Sequence, residues 1–308
     1  MRRVASLSMQ KPATRGIVFM LCGMSLLSIM DGLAKLLVMQ DIHSIEVLAV
    51  RGVIIVPILV AFYTLRGKPR ELLPTRPVAQ ALRGAAGIFA PLSFFMAIKT
   101  MPLSSAVVIF YSSIFMTTVL SVIVLRERVG IHRWLAVIVG YIGVFIAMSP
   151  GLDESGGGNL KGYLLVLVSS LSYAMLFITG RLLSRTDTVP SMVMSYNAWV
   201  GGISLVALPW FWHMPTPTEW GLLILLAAFA VAGHFFVTTA FKLTEASVIA
   251  PLEYTTVLWA VLFDILIWNH VAGGATWLGA VVIILSGLYV IHREHVSGKN
   301  QAKQQSHL

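Results

Sequence analysis

The sequence predicts an all-α polytopic membrane protein with ten transmembrane helices. Hydrophobic residues make up 57% of the 308 residues and charged residues only 11%, with a mean hydropathy of +0.84. A soluble domain is nearer half apolar and a quarter charged. The apolar residues also fall into runs of about twenty, the length that an α-helix needs to cross a bilayer core.

Ten such runs follow one another along the chain. The first comes after a basic N-terminal segment and continues past Asp31 to Met39, so it is predicted to be a retained span and not a signal peptide. Proline and glycine turns such as Lys68-Pro69 and Ser149-Pro150-Gly151 separate several later runs. The predicted spans are 16–39, 44–65, 78–98, 102–125, 131–149, 160–183, 190–211, 219–241, 246–268 and 274–292.

The basic residues predict the orientation. With the N-terminus in the cytoplasm, 18 of the 22 Lys and Arg residues fall in inner segments or at the inner ends of spans, and two at the outer side. The other two, Lys35 and Arg51, lie within spans. This bias is the positive-inside pattern, and it predicts that both termini are cytoplasmic. It also explains the net charge of +9 without nucleic acid as a partner.

The second half of the sequence repeats the first. A shift of 143 residues aligns Ser104 with Ser247 and Trp134-Leu135 with Trp277-Leu278, and the Gly-rich loop 149–162 is the expected joint. Because each half has five spans, an odd number, the second half must enter the membrane from the opposite side. Inverted repeats of this kind are typical of secondary transporters, which bind substrate near the membrane midplane.

Several motifs occur in an order and spacing that point to a known family. They are DGLAK in span 1, EVLAVRG entering span 2, ALRG before span 3, VLRERVGIHRWLAVIVGYIG across spans 4 and 5, and AFKLTEASVIAPLEY leading into span 9. With these motifs the chain resembles the drug/metabolite transporter superfamily, with two EamA-type repeats over roughly residues 16 to 292. Among its subgroups, it is loosely similar to carriers for S-adenosylmethionine or riboflavin uptake.

The resemblance implies a domain organisation and a cavity. We expect a cytoplasmic segment (1–15), a first repeat (16–149), an external linker (150–159), a second repeat (160–292) and a cytoplasmic tail (293–308). The cavity is expected between spans 1, 3, 4, 6, 8 and 9, with spans 5 and 10 more peripheral. The sequence departs from the family pattern in two places. Span 4 lacks the usual proline, which span 9 has as Pro251, and Glu127 has no acidic counterpart after span 9.

Three charges inside the first two spans need partners, because a charge at the centre of a lipid-facing helix is costly. Asp31 and Lys35 are one helical turn apart, and Arg51 lies at a comparable depth in the neighbouring span. They form either a structural ion-pair network or a net positive substrate site with Glu46 at the rim. Asp31 is alternatively a proton-exchanging group, or one that releases Lys35 during the change of access.

Further candidate site residues lie in the second half. His234 is near the middle of span 8, where a neutral imidazole serves either as a core residue or in a proton step. Glu253 and Tyr254 follow Pro251, and proline-broken segments often border substrate cavities. Asp264, close to the end of span 9, is predicted to face water.

Aromatic residues recur where the cavity is expected and suit stacking on a planar or cationic ligand, although each is individually more typical of packing. Tyr111 is the one we place among the site residues; the others are Phe94, Phe95, Phe110, Tyr173, Tyr196 and Trp259. A stripe of small residues in span 5, including Gly140 and Gly143, suits helix packing and allows a homodimer.

These observations favour a secondary active transporter for a small polar or amphiphilic metabolite, working by alternating access without ATP in a bacterial inner membrane. The alternative substrate class is nucleoside-like or vitamin-like, as in S-adenosylmethionine or riboflavin uptake. The coupling species is a proton or an exchanged metabolite. An intramembrane enzyme is disfavoured, since the sequence has no HExxH, no GxSxG and no paired aspartates at matching depth in the spans. No cofactor or metal is expected, because the single cysteine, Cys22, offers no metal-ligand spacing.

Overall fold

The structure is a computed structural model that describes residues 2–127, 129–151, 160–184, 186–244 and 246–305. Within these ranges the regular structure is helical, and no strand occurs. The predicted linker 150–159 lies mostly outside them. The α-helices are α1 (Arg2–Met39), α2 (Ser44–Leu65), α3 (Pro77–Gly87), α4 (Phe89–Ile98), α5 (Leu103–Phe110), α6 (Ser112–Leu125), α7 (Ile131–Met148), α8 (Leu160–Leu183), α9 (Val189–Ala207), α10 (Pro217–Leu243), α11 (Ala246–Ile249), α12 (Thr255–Trp268) and α13 (Gly274–Gln305).

The helices make up the predicted spans, and the chain is a multi-pass membrane protein. Nine described segments are long and apolar enough to cross a membrane, and the shorter apolar segment Gly274–Tyr289 opens α13. Spans 1, 2, 5, 6, 7, 8 and 10 are α1, α2, α7, α8, α9, α10 and α13. Span 3 is α3 with α4, span 4 is α5 with α6, and span 9 runs from α11 to α12 through a 3₁₀ turn, Ala250–Tyr254.

Spans 4 and 9 are both broken, although only span 9 has a proline at its break. In span 9, Pro251 lacks the N–H that would continue the helix, and the chain tightens into the 3₁₀ turn. In span 4 the α-helix is interrupted at Tyr111. The Tyr111 hydroxyl donates to the backbone carbonyl of Glu253 at 2.6 Å, so the two breaks lie against each other. The missing proline therefore does not make span 4 continuous.

The two breaks belong to a register that repeats along the chain. Both α6 and α12 have 14 residues, and they begin at residues 112 and 255, which are 143 apart. Each ends at a residue in the left-handed conformation, Arg126 with φ 55° and Asn269 with φ 49°. The next helices begin at residues 131 and 274, again 143 apart. The spacing found in the sequence thus reappears in helix lengths and caps.

The contacts between spans are the same in the two halves. If each span is replaced by its counterpart in the other half, five numbers away, a contacting pair becomes another contacting pair. Span 1 packs on span 8 as span 6 packs on span 3, and span 1 meets span 9 as span 6 meets span 4. Span 2 contacts span 8 as span 7 contacts span 3. Spans 2 and 7, 4 and 9, and 5 and 10 pack directly on their own counterparts.

Glycine allows two of these counterpart pairs to approach closely. A Cβ placed on Gly52 of span 2 would lie 2.5 Å from the Cα of Gly201 in span 7, so only glycine fits there. In span 5, Gly140 faces the ring of Phe115 and Gly143 faces span 10. The small-residue stripe is therefore filled from within the chain and offers no free surface for the homodimer that it suggested.

Candidate functional site

A buried ion pair joins spans 1 and 9 at the end of the bundle that holds the span 1–span 2 connection, the predicted outer end. The Lys35 ammonium lies 3.0 Å from a carboxylate oxygen of Asp264, with both side chains at most 6% exposed. Asp264 also accepts hydrogen bonds from the backbone N–H of Leu103 and Ser104 and from the Ser104 hydroxyl, at 3.0, 2.8 and 2.6 Å. We call these four residues the outer charge cluster.

The outer charge cluster corrects two predictions. Asp264 does not face water, because it is fully buried and neutralises the first N–H groups of α5. Lys35 does not form an ion pair with Asp31. Instead it pairs with Asp264 and lies 4.2 Å from the centre of the Trp268 ring. The interpretation of a net positive site counted Lys35 as one of its two bases, whereas the structure pairs Lys35 with Asp264.

A second group of charged and aromatic side chains lies between the two halves of the bundle. We call it the central polar site; its members are Asp31, Arg51, Tyr173, Tyr196, His234 and Glu253. The Arg51 guanidinium interacts electrostatically with Asp31, Tyr196 and His234. Arg51 is 9% exposed, yet no described residue forms a hydrogen bond or ion pair with its guanidinium. The similar depth of Asp31 and Arg51 within their spans thus correctly indicated that the two residues lie near each other.

Most members of the site keep accessible surface although their helices are inside the bundle. His234 is exposed, Asp31 and Glu253 are partly exposed, and Tyr173 is 43% exposed. Because their electrostatic neighbours lie on other spans, we interpret this accessible surface as bordering a space inside the bundle. Of the predicted site residues, Asp31 and His234 both lie near the guanidinium of a third, Arg51.

Glu253 lies at another part of the site, among tyrosines. Its carboxylate interacts electrostatically with Tyr111, Tyr173 and Tyr254. The Tyr173 ring packs on Phe110, with ring centres 5.2 Å apart. Tyr196 interacts with both Tyr173 and Arg51, and so it links the Glu253 part of the site to the Arg51 part.

Tyr111 and Tyr254 are placed differently from the other predicted site residues. Their rings pack on each other with centres 4.8 Å apart, and both are buried. The Tyr254 hydroxyl points at Gly287 of span 10, where an added Cβ would overlap it. These two tyrosines therefore form the contact between the breaks of spans 4 and 9, and they pack next to Glu253 without facing the accessible part of the site.

Arg83 is a neighbour of the site that the sequence left among the inner loop charges. Its guanidinium donates to the backbone carbonyls of Leu176 and Met192 at 3.3 and 3.4 Å, and it interacts electrostatically with Tyr196. The signal was available, because Arg83 is the arginine of the ALRG motif at the start of span 3.

Among the described residues, no group of three or more His, Cys, Asp or Glu side chains is arranged to hold a metal ion.

Comparison with protein families agrees with this architecture. A model described as the EamA-like transporter family matches the chain twice, over residues 14–149 and 160–292. The chain belongs to the EamA-like transporter family. The two matches together span most of the chain, and each covers five of the ten spans. This EamA-like protein is accordingly a membrane transporter, with the central polar site between its two matched halves.

Named relatives of this EamA-like chain include carriers of two chemically different metabolites. An S-adenosylmethionine uptake transporter from Rickettsia prowazekii is 27% identical over 296 residues, which cover 96% of this chain and 98% of the relative. A riboflavin transporter from Vibrio cholerae is 29% identical over 195 residues, 63% of this chain and 64% of the relative. A crystal structure with 16% identity has a TM-score of 0.57 and covers 91% of this chain and 96% of its own, which shows the shared fold.

Proposed function

We propose that this protein is a secondary active transporter that moves a small polar or amphiphilic metabolite by alternating access, without ATP hydrolysis. The observation that carries the proposal is the central polar site. Arg51 has no hydrogen-bond or ion-pair partner among the described side chains, and Asp31, His234 and Glu253 keep accessible surface inside the bundle. Charges held in this way inside a membrane are a feature of substrate or ion pathways.

The proposed mechanism uses the two halves as inverted repeats. The exchange of packing partners when five is added to the span numbers, together with the 143-residue register, supports a two-fold relation between the halves. In transporters with this design, one half rocks against the other around a fixed midplane site. The site has members from both halves, Arg51 from the first and Glu253 from the second, so such a movement would change which side of the membrane reaches it.

The substrate class follows from the site and the relatives together. The site combines one guanidinium, two carboxylates and several aromatic rings, which suits a metabolite that has both an aromatic part and charged groups. The relatives are named for S-adenosylmethionine and for riboflavin uptake. We therefore propose uptake of a nucleoside-like or vitamin-like compound, with a proton or an exchanged metabolite as the coupling species.

We further propose that the protein lies in a bacterial inner membrane with both termini in the cytoplasm. The support is the distribution of 18 Lys and Arg residues on one side and two on the other. Alkaline phosphatase fused after residue 308 should be inactive, whereas a fusion in the 150–159 segment should be active. The opposite result would reverse the orientation.

The test of the proposed function is uptake into proteoliposomes that contain the purified protein. Radiolabelled S-adenosylmethionine and riboflavin are offered separately, with and without the same compound inside or a pH gradient. Accumulation above empty liposomes supports the carrier, and its dependence on either condition identifies the coupling. Mass spectrometry of both compartments would reveal a converted product, which an intramembrane enzyme predicts and a carrier does not.

Variants of Arg51 connect that transport to the site. Arg51→Ala should abolish uptake and Arg51→Lys should reduce it strongly, because an ammonium lacks the planar fork of donors. The matched control is Arg66→Ala at the end of the same span, where the guanidinium lies over the ring of Phe62. Equal uptake by the Arg51 variants and the control at matched abundance would contradict a role for the central polar site.

A further inference from the structure

Glu253 is the carboxylate of the central polar site that has no cation beside it. Asp31, the other carboxylate, interacts electrostatically with Arg51, whereas no described Lys, Arg or His interacts electrostatically with Glu253. No described Lys, Arg or His forms an ion pair with it, and no described side chain donates a hydrogen bond to it. A partly buried carboxylate in this position is costly unless it takes up a proton or a cation joins it.

The surroundings of Glu253 limit what that positive group is. Its electrostatic neighbours are the tyrosines Tyr111, Tyr173 and Tyr254. Of these, Tyr173 keeps 43% of its surface accessible and packs on Phe110, so an aromatic face is available at the interior space. A carboxylate beside aromatic faces is the arrangement that recognises bulky, weakly hydrated cations, in particular onium groups. A small metal cation would instead need several oxygen ligands, as Ca²⁺ does.

The opposite charge is provided elsewhere in the same site. The guanidinium of Arg51 lies near Asp31 and His234 and has no hydrogen-bond partner among the described residues. Tyr196 interacts with both Arg51 and Tyr173, so it lies between the two parts of the site. A guanidinium in this state suits a carboxylate, with which it forms two parallel hydrogen bonds. The site thus has an anion-binding part and a cation-binding part joined by aromatic side chains.

We infer that Glu253 and Tyr173 bind an onium group, a sulfonium or an alkylated ammonium, of a substrate whose carboxylate is bound by Arg51. The inference rests on the proposed function, because it takes the central polar site as the place where substrate is carried. It assigns Glu253 as the residue that distinguishes a charged onium substrate from its neutral analogue.

The test uses a pair of probes that differ in one charge. Choline carries a trimethylammonium group, and 3,3-dimethylbutan-1-ol has the same shape with a neutral carbon at that position. Saturation-transfer NMR on the protein in nanodiscs, with empty nanodiscs as the background, measures binding of each. Choline should bind the unmodified protein at least tenfold more tightly than the alcohol. Equal binding of the two probes would overturn the inference.

Two variants locate that preference in the site. Glu253→Gln should remove it. The matched control is Glu71→Gln, which changes a partly exposed glutamate paired with Lys68, outside the site, and should keep the preference. If Glu253→Gln retained the preference, the onium group would not be bound at Glu253.

A second pair of variants tests the aromatic face and does not depend on the carboxylate variant folding. Tyr173→Phe keeps the ring and should bind choline within about twofold of the unmodified protein, whereas Tyr173→Leu should bind it at least fivefold more weakly. Equal affinities in the two variants would contradict an aromatic contact with the cation. These binding measurements need no transport, so a failed uptake assay with intact choline preference would refute the proposed carrier function and leave the cation site standing.

Discussion

Removing Asp264 should destabilise the protein much more than removing its partner Lys35. The carboxylate of Asp264 receives four contacts, from the Lys35 ammonium and from three donors of Leu103 and Ser104, at 2.6 to 3.0 Å. After Lys35→Met, the carboxylate still has its three other donors. After Asp264→Ala, the ammonium of the buried Lys35 is left with only the Trp268 ring beside it, and the first N–H groups of α5 lose their acceptor.

The sizes of the two effects follow from these contacts. Breaking a buried ion pair by removing one partner and leaving an uncompensated charge costs about 3–5 kcal/mol. Each orphaned buried donor adds about 1–3 kcal/mol, so we expect Asp264→Ala to lose about 4 kcal/mol or more. Lys35→Met removes one charged hydrogen bond and leaves a satisfied carboxylate, so we expect a loss of about 2 kcal/mol.

The assay is unfolding by sodium dodecyl sulfate in dodecyl maltoside micelles, followed by tryptophan fluorescence. A Lys35→Met/Asp264→Ala double variant completes the cycle, and its loss should be at least about 1 kcal/mol smaller than the sum of the single losses, because the two groups interact directly. A Lys35→Met loss equal to or larger than that of Asp264→Ala would refute the reasoning, as would strict additivity. Exchanging the two residues, as Lys35→Asp/Asp264→Lys, should not restore the stability, since it would place an ammonium against the N–H groups of α5.

Three further predictions concern other parts of the fold. Burial acts to raise the pKa of Asp187, but hydrogen bonds from neighbours such as Gln80 outweigh it and hold the pKa below its usual value. Asp187 therefore stabilises the folded protein at neutral pH and this contribution is lost as the pH falls through about 4 and below, so Asp187→Asn should flatten the acid limb of a stability-versus-pH curve. Gly52→Ala should lower the yield of folded protein and the melting temperature because of its backbone contact, whereas Gly202→Ala, with no atom within 4 Å of the added Cβ, should leave both unchanged or slightly higher. Thr216→Ala removes half of the capping box of α10 and should cost about 1 kcal/mol in the same unfolding assay.

Local features of the sequence predicted the helices well. Span 2 was predicted at 44–65 and occupies Ser44–Leu65, and span 6 was predicted at 160–183 and occupies Leu160–Leu183. Hydropathy and turn residues determine such bounds, because both act over a few neighbouring residues. The break at Tyr111 could not be predicted in the same way, since no proline marks it and its hydrogen-bond partner belongs to Glu253 in the other half.

Charge partners were harder to predict, because they depend on how each helix is rotated about its own axis. Spacing correctly indicated that Arg51 and Asp31 lie in one region, since adjacent spans and equal depth restrict that choice. The same spacing offered Asp31 as the nearest partner for Lys35, whereas the true partner, Asp264, is 229 residues away. Nothing in span 9 alone indicates that Asp264 faces the amides at the start of α5.

The separation of 229 residues between Lys35 and Asp264 also affects how the protein inserts into the membrane during synthesis. At a synthesis rate of about 5–20 residues per second, Lys35 waits roughly 10–45 seconds in the membrane before Asp264 has been made. Lys35 is close to the end of span 1, so in that interval its flexible chain reaches toward the headgroups and keeps its ammonium hydrated. Span 1 therefore inserts before its charge partner exists, and the contact between the first and the last third of the chain forms only when synthesis is nearly complete.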